Sequence, residues 1–154
     1  MEEHPQINEW RARFRLEPHV EGGLFAEMAP ETPGRREPHG AIYYCLRPGE
    51  HADFHTLDCD EYWLFHAGAA LEIWMYGPEK RRSVVRLGAG SGDAPRVFLP
   101  AGTVFGARTL RAEPTLLTCV TVPRFSYQSY RLFRPEEMRA LYPDSAAFFL
   151  SAAD

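Results

Sequence analysis

Gly49-Glu50-His51-Ala52-Asp53-Phe54-His55-Thr56-Leu57-Asp58-Cys59-Asp60-Glu61, with a further glycine at Gly68, sets a histidine and a glutamate six residues apart between glycines. It follows the turn signal Arg47-Pro48-Gly49 and reaches Glu61 just before the apolar run Tyr62 to Phe65. A histidine and a carboxylate on one inward face provide a general base or acid and the partner that orients it. Apolar surroundings tune both toward neutral pH. His55 and Glu61 are therefore the candidate reactive pair. Such a pair suits proton abstraction next to a carbonyl, as in epimerisation, isomerisation or elimination.

On either side lie short apolar segments: Ala41 to Leu46, Tyr62 to Phe65, Leu71 to Tyr76, Val84 to Leu87, Arg96 to Leu99, Leu116 to Val122 and Tyr127 to Phe133. Gly77-Pro78, Gly88 to Asp93 and Pro100-Ala101-Gly102 separate them with turn chemistry, so the middle of the chain reads as an antiparallel sandwich or barrel. Helices are expected only near the ends. Ile7, Trp10 and Phe14 recur at spacings of three and four, predicting a helix over 7–16. Arg134-Pro135-Glu136-Glu137 opens a second, over 135–141, that stops before Pro143. In Leu71 to Tyr76 the odd positions are aliphatic and the even ones carry an acid and two aromatics. Both faces of that strand are thus covered, the aromatic one by a lined cavity or a dimer interface.

A chain of 154 residues with no linker, repeat or low-complexity segment reads as a single domain spanning 1–154. With 45% hydrophobic and 25% charged residues it resembles an ordinary globular protein. A net charge of -4 lacks the basic excess that neutralises a phosphate backbone, so no nucleic-acid partner is expected. The basic run Lys80-Arg81-Arg82 reads as the solvated tip of a hairpin. Cys45, Cys59 and Cys119 contain no C-x-x-C pair and imply neither a disulfide framework nor a zinc knuckle. The polar opening MEEHPQINEWRARF and the lack of a long apolar run predict a cytoplasmic protein with no membrane partner. No G-x-S-x-G elbow is present, and Gly88-Ala89-Gly90-Ser91-Gly92 lacks the lysine of a phosphate-binding loop.

The spacing glycine, five residues, His55, one residue, Leu57, three residues, Glu61, six residues, Gly68 resembles the first sequence motif of the cupins. The stretch 92–109, with Pro100-Ala101-Gly102, occupies the place of the second. In metal-bearing cupins these hairpins present three histidines and one glutamate to a single ion. Here Leu57 and Phe105 stand at two of those positions, leaving only His55 and Glu61. Two protein ligands fall short of the three usual in catalytic zinc sites. Strict alternation from Glu61 puts residues 63 and 65 on its face, so His66 joins as a third donor only through a bulge. No tightly bound metal and no other cofactor is expected; a divalent metal, if held, would take His55, Glu61 and His66.

A narrower resemblance is to cupin family 5, a former domain of unknown function similar to the rhamnose-pathway sugar epimerases. It covers about residues 16–132 and rests on Pro18-His19-Val20-Glu21-Gly22-Gly23-Leu24-Phe25, Ala41-Ile42-Tyr43-Tyr44, Phe54-His55, Asp60-Glu61-Tyr62-Trp63, Phe65-His66-Ala67-Gly68, Leu99-Pro100-Ala101-Gly102-Thr103 and Cys119-Val120-Thr121-Val122-Pro123. The chain departs from the family pattern at Val20, Leu24, Leu64, Phe105, Tyr127 and Arg131, which points to a substrate other than the family's common one. The resemblance implies an all-β, antiparallel cupin (jelly-roll) barrel, a homodimer and a small-molecule ligand. The residues themselves give His55 as the proton-transferring group, with Glu61 setting its tautomer and stabilising its charged form, and Glu21, Phe25, Trp63, His66, Phe105 and Tyr127 are expected around the substrate. The reading is an isomerase, epimerase or lyase acting on a sugar-like or keto-acid metabolite. A non-catalytic ligand-binding cupin is the alternative and a metal-dependent oxygenase the third.

Overall fold

Turns dictate the topology here, because nearly every one sends the chain across to the opposite sheet. The computed structural model describes residues 2–28 and 38–150. Helix α1 (Pro5–Phe14) leads into β1 (Glu17–Pro18), β2 (Leu24–Glu27), β3 (Gly40–Leu46), β4 (His51–Thr56), β5 (Asp60–Gly68), β6 (Leu71–Tyr76), β7 (Arg82–Leu87), β8 (Arg96–Leu99), β9 (Val104–Thr109), β10 (Thr115–Val122) and β11 (Arg131–Leu132). Helix α2 (Pro135–Leu141) and a 3-10 segment, Pro143–Phe149, follow. One sheet has the order β1-β2-β3-β10-β5-β8 and the other β11-β4-β9-β6-β7, all pairs antiparallel. From β3 to β11 the chain alternates between them, except at the β6–β7 hairpin, which makes the architecture a jelly roll. The sheets face each other as a sandwich and do not join into one closed hydrogen-bonded barrel.

The core lies between the sheets, where Tyr44, Leu46, Trp63, Ile73, Leu99 and Leu117 interdigitate with Phe105. Two local irregularities decide what faces it. Ala52 pairs with Ala107 but His55 pairs with Phe105, so β4 carries a bulge at Asp53–Phe54. Ala52 belongs to the inner core, and strict alternation from it would turn Phe54 inward and His55 outward. The bulge reverses this: Phe54 packs outside with Trp74 and Phe148, and His55 enters the sandwich beside Phe105. A second bulge in β5 leaves His66 unpaired between Phe65 and Ala67. Its effect is opposite to the one required for metal binding. His66 is exposed, shares a hydrogen bond with Thr118 on the outer face and lies near Tyr43.

The aromatic face of β6 needs neither a cavity nor a partner subunit. Trp74 and Tyr76 are covered by the C-terminal segment, through Phe148 and Tyr142. Arg108 holds that segment down, donating to the carbonyls of Ala147, Phe148 and Leu150 while its Nε donates to Glu72. Gly106 makes the fit possible, since a Cβ there would sit 3.3 Å from the Phe148 ring.

Other elements follow the sequence closely. Helix α2 has the expected bounds, while α1 starts earlier than expected because Pro5 takes the first turn and His4 Nδ1 accepts from Gln6 N–H. It ends at Arg15, in the left-handed region with φ 57°. The expected strand over Tyr127 to Phe133 survives only as β11. Residues Tyr127–Ser129 form a 3-10 turn, started by Ser126 Oγ accepting from Gln128 N–H. The basic run at Lys80–Arg82 lies at the β6–β7 hairpin, with Lys80 at φ 55°. All three cysteines are free and buried. Among the described residues no helix is long and apolar enough to cross a membrane.

Candidate functional site

At one end of the sandwich a pocket of about 310 Å³ opens between the sheets. His55 and Leu57 come to it from the end of β4, Glu61 from the start of β5 and Cys119 from β10. The β4–β5 turn that joins His55 to Glu61 is braced from the second hairpin. Gly102 N–H donates to the Leu57 carbonyl at 2.7 Å and Ala101 N–H to Asp60 Oδ1 at 2.9 Å. The histidine and the glutamate therefore reach the pocket from consecutive strands that belong to opposite sheets.

The loop before β2 supplies the rest of the floor. Gly22 and Gly23 have φ of +107° and +75°. A Cβ on Gly22 would lie 2.4 Å from the His51 carbonyl oxygen and one on Gly23 2.6 Å from that of Cys45. The two glycines thus let the loop press onto β4 and β3, where Asp53 N–H donates to the Glu21 carbonyl at 2.8 Å and Tyr44 Oη to that of Gly22 at 2.6 Å. That contact carries Glu21 to His55. Gly22→Ala is expected to destabilise the fold by about 2 kcal/mol, since the strained backbone and the clash act together. A lowered urea midpoint with unchanged slope would register it.

His55 is buried and its orientation is fixed by the backbone. Nδ1 lies 2.7 Å from the Asp53 carbonyl, which can only accept, so the neutral ring carries its hydrogen on Nδ1 and its lone pair on Nε2. Glu21 Oε2 is 3.3 Å from the same Nδ1. The tautomer is therefore set by Asp53 and seconded by Glu21, and not by Glu61 as the sequence led us to expect. Glu21 Oε2 also accepts from Tyr130 Oη at 3.1 Å, and Glu21 N–H donates to His19 Nδ1 at 3.2 Å.

Glu61 stands differently. Its Oε1 accepts from Trp63 Nε1 at 2.9 Å, but Oε2 is buried with no hydrogen-bond partner among the described residues. The thiol of Cys119, beside it, makes no hydrogen bond of normal geometry to that oxygen. Burial pushes the Glu61 carboxyl up to about 7, against the opposing pull of His55 and the Trp63 N–H. Burial likewise raises Glu21 to about 7, against His19 and Tyr130. The same desolvation lowers His55 and His19 below their ordinary values, outweighing their acidic neighbours. The floor thus holds two carboxyls that share protons with water near neutrality and two imidazoles that stay neutral there.

Of the residues read from sequence as surrounding a substrate, Glu21, Phe25 and Tyr127 line the pocket with His55 and Glu61. Trp63 and Phe105 stand behind it. Trp63 holds Glu61, and the Phe105 ring packs 4.3 Å from His55 and 5.8 Å from Trp63. His66 is on the opposite face of its sheet. Sequence reasoning did not pick out His19, Tyr130, Cys119 or Arg124, and all four line the pocket. Tyr130 had a partial signal in its neighbour Tyr127, which is 63% exposed at the mouth while Tyr130 reaches the buried glutamate.

A metal ion does not fit this donor set. No group of three His, Cys, Asp or Glu side chains among the described residues is disposed to hold one. Leu57 lines the pocket and the Phe105 ring packs at a tilt against His55 where metal-bearing relatives of the motif place ligands.

Two facing antiparallel sheets, with a pocket at the end where a histidine strand turns into a glutamate strand, define a cupin jelly roll. The chain belongs to the cupin superfamily, in the family described as DUF985, whose model matches residues 8–133. A Shewanella oneidensis protein of known crystal structure is 33% identical, with 96% of this chain and 94% of that one covered at a TM-score of 0.82. A hypothetical protein from Leishmania major is 27% identical over 91% and 94%, with a TM-score of 0.79. A Bacillus subtilis oxalate decarboxylase variant shares the fold at 15% identity and a TM-score of 0.63, with 92% of this chain matching 36% of that one. No curated protein matches the sequence.

Proposed function

We propose that this cupin is a small-molecule isomerase, epimerase or lyase that moves protons on a carbonyl compound without a metal. The observation that carries the reading is Glu61 Oε2, a buried carboxyl oxygen with no hydrogen-bond partner among the described residues, in the same pocket as a neutral, tautomer-fixed His55. An orphaned buried acceptor is unfavourable by about 1–3 kcal/mol, and a site tuned for stability alone would supply a donor. A substrate hydroxyl or enol supplies one.

The chemistry follows from the two free atoms. His55 Nε2 takes the proton from the carbon beside a carbonyl, and protonated Glu61 gives its own proton to the carbonyl oxygen. The C–H electron pair becomes the double bond of a neutral enol. Return of the proton to the same carbon exchanges it with solvent. Where that carbon carries a hydroxyl the enol is an enediol, so delivery of the proton to the former carbonyl carbon while the hydroxyl gives its own proton to Glu61 completes an isomerisation with no redox partner. Glu21, at Nδ1, stabilises the imidazolium while it lasts.

Proton NMR in deuterium oxide tests this directly. Short aldoses, ketoses and 2-oxo acids are incubated with the protein, and one or more are expected to lose the signal of the hydrogen next to the carbonyl. Glu61→Gln should slow that loss. A ligand that binds in a His55-dependent manner and never exchanges would make the protein a binding module instead.

A further inference from the structure

The pocket is polar at two separate places. Glu21, Glu61, His19 and His55 form its floor, and Arg124 stands at its mouth as the single Lys or Arg among its described lining residues. The turn that carries Arg124 is held firmly. Phe125 N–H donates to Thr121 Oγ1 at 3.0 Å, and the turn packs on Gly40, where a Cβ would come within 2.9 Å of that same oxygen and 3.6 Å of Arg124 Cγ.

The guanidinium itself is held loosely. Its Nη2 meets Glu27 Oε1 at 3.1 Å, with the two side chains 51% and 68% exposed. An ion pair that open to water contributes little, so Arg124 can exchange Glu27 for a ligand anion while Glu27 stays hydrated. The floor offers the opposite terms. An anionic group there would face two buried carboxyls with no Lys or Arg beside them among the described residues. Charge complementarity thus orients any charged substrate, with its anion at the mouth and its uncharged polar end at Glu61.

We infer that the substrate is a small monoanion, a short oxo acid rather than a neutral sugar, whose carboxylate is read by Arg124 while its carbonyl end lies between His55 and Glu61. The inference rests on the proton-transfer reading of the floor, because that reading assigns the carbonyl end. Arg124 is then the residue that determines specificity.

The probes are 2-oxobutanoate and 4-oxopentanoate, with 2-butanone as the uncharged control, and binding is read by saturation-transfer NMR at neutral pH in deuterium oxide. At least one oxo acid should bind about tenfold or more tighter than 2-butanone, as a charge-assisted hydrogen bond supplies. Arg124→Gln should abolish that advantage and leave 2-butanone binding unchanged, and Glu27→Gln should strengthen oxo-acid binding by freeing the guanidinium. Equal affinity for acid and ketone, an Arg124→Gln protein that keeps the preference, or no oxo-acid binding below about 20 mM would overturn the inference. The same samples report exchange next to the carbonyl. Preferred oxo-acid binding without exchange would overturn the proton-transfer reading and the placement of the carbonyl end, while the anion site at Arg124 stands.

Discussion

Glu61→Gln is expected to make the protein more stable at pH 8 while removing most of its proton-transfer activity. The buried carboxyl ionises at about 7 in the fold against an ordinary 4.5, so the folded state keeps a proton that the unfolded chain has already lost. For a group raised in this way, the stabilising contribution is complete below about 4.5 and disappears as pH rises through about 7. Above that, holding the carboxylate in the fold costs on the order of 3 kcal/mol, the free-energy equivalent of the gap. Gln removes the charge, keeps an oxygen for the Trp63 N–H and lets its amide turn toward the pocket. The melting temperature of the variant should therefore exceed that of the wild type at pH 8, and the two should converge near pH 4.5. Equal melting temperatures across that range would mean that Glu61 is not desolvated in the fold. Glu21 has the same sign of dependence. His55 and His19, lowered by burial, act oppositely and withdraw stability as pH falls below their ordinary 6.5. The wild type should consequently show a shallow stability maximum, with Glu61→Gln lifting only its alkaline side.

A residue whose conservative replacement stabilises the fold is one retained for another reason, and this is the common signature of a reactive site. The sequence identified that residue because a carboxylate six positions after a histidine, closed by glycine, leaves few folds that bring the two together. Much else was legible on the same terms. Turn residues at 47–49, 77–78 and 100–102 delimit strands correctly, and β6 and β8 have their expected bounds. Strands β1, β2 and β9 went unread, and the strand of His55 was legible only from the motif spacing, because histidine, glycine and charge interrupt the apolar pattern. The bulge in β4 was also unreadable. It depends on Asp53 answering a distant loop in the sequence, through Asp53 N–H and the Glu21 carbonyl. The bulge in β5 could be named as a requirement for a His66 ligand, yet only packing decided that His66 would turn outward to Thr118. Arg124 and Tyr130 lay in what read as an ordinary loop and strand. Their roles come from distance contacts with Glu27 and Glu21, for which a single chain carries no spacing rule.

His55→Ala is expected to slow turnover of the exchanging substrate by roughly 10²- to 10⁴-fold, the range that general acid–base catalysis supplies. Substrate affinity should change far less, since the wall behind the ring is built by Phe105 and Trp63 and the anion is read elsewhere. The shape of the pH profile separates this role from a structural one. His55 must be neutral to accept a proton, and burial keeps its titration below 6.5, so the acid limb of kcat/KM should fall there. Glu61 must be protonated to donate, and it loses its proton at about 7, so the alkaline limb should fall there. The two limbs belong to the coupled pair, and the optimum lies between them, on the acid side of neutrality. In Glu61→Gln the residual rate should lose its alkaline limb, and in His55→Ala the acid one. A full-rate His55→Ala, or a wild-type profile flat from pH 5 to 9, would move the chemistry away from this ring. The next group in reach would then be Glu21, which also ionises at about 7 and is joined to Tyr130 and the pocket mouth without passing through His55.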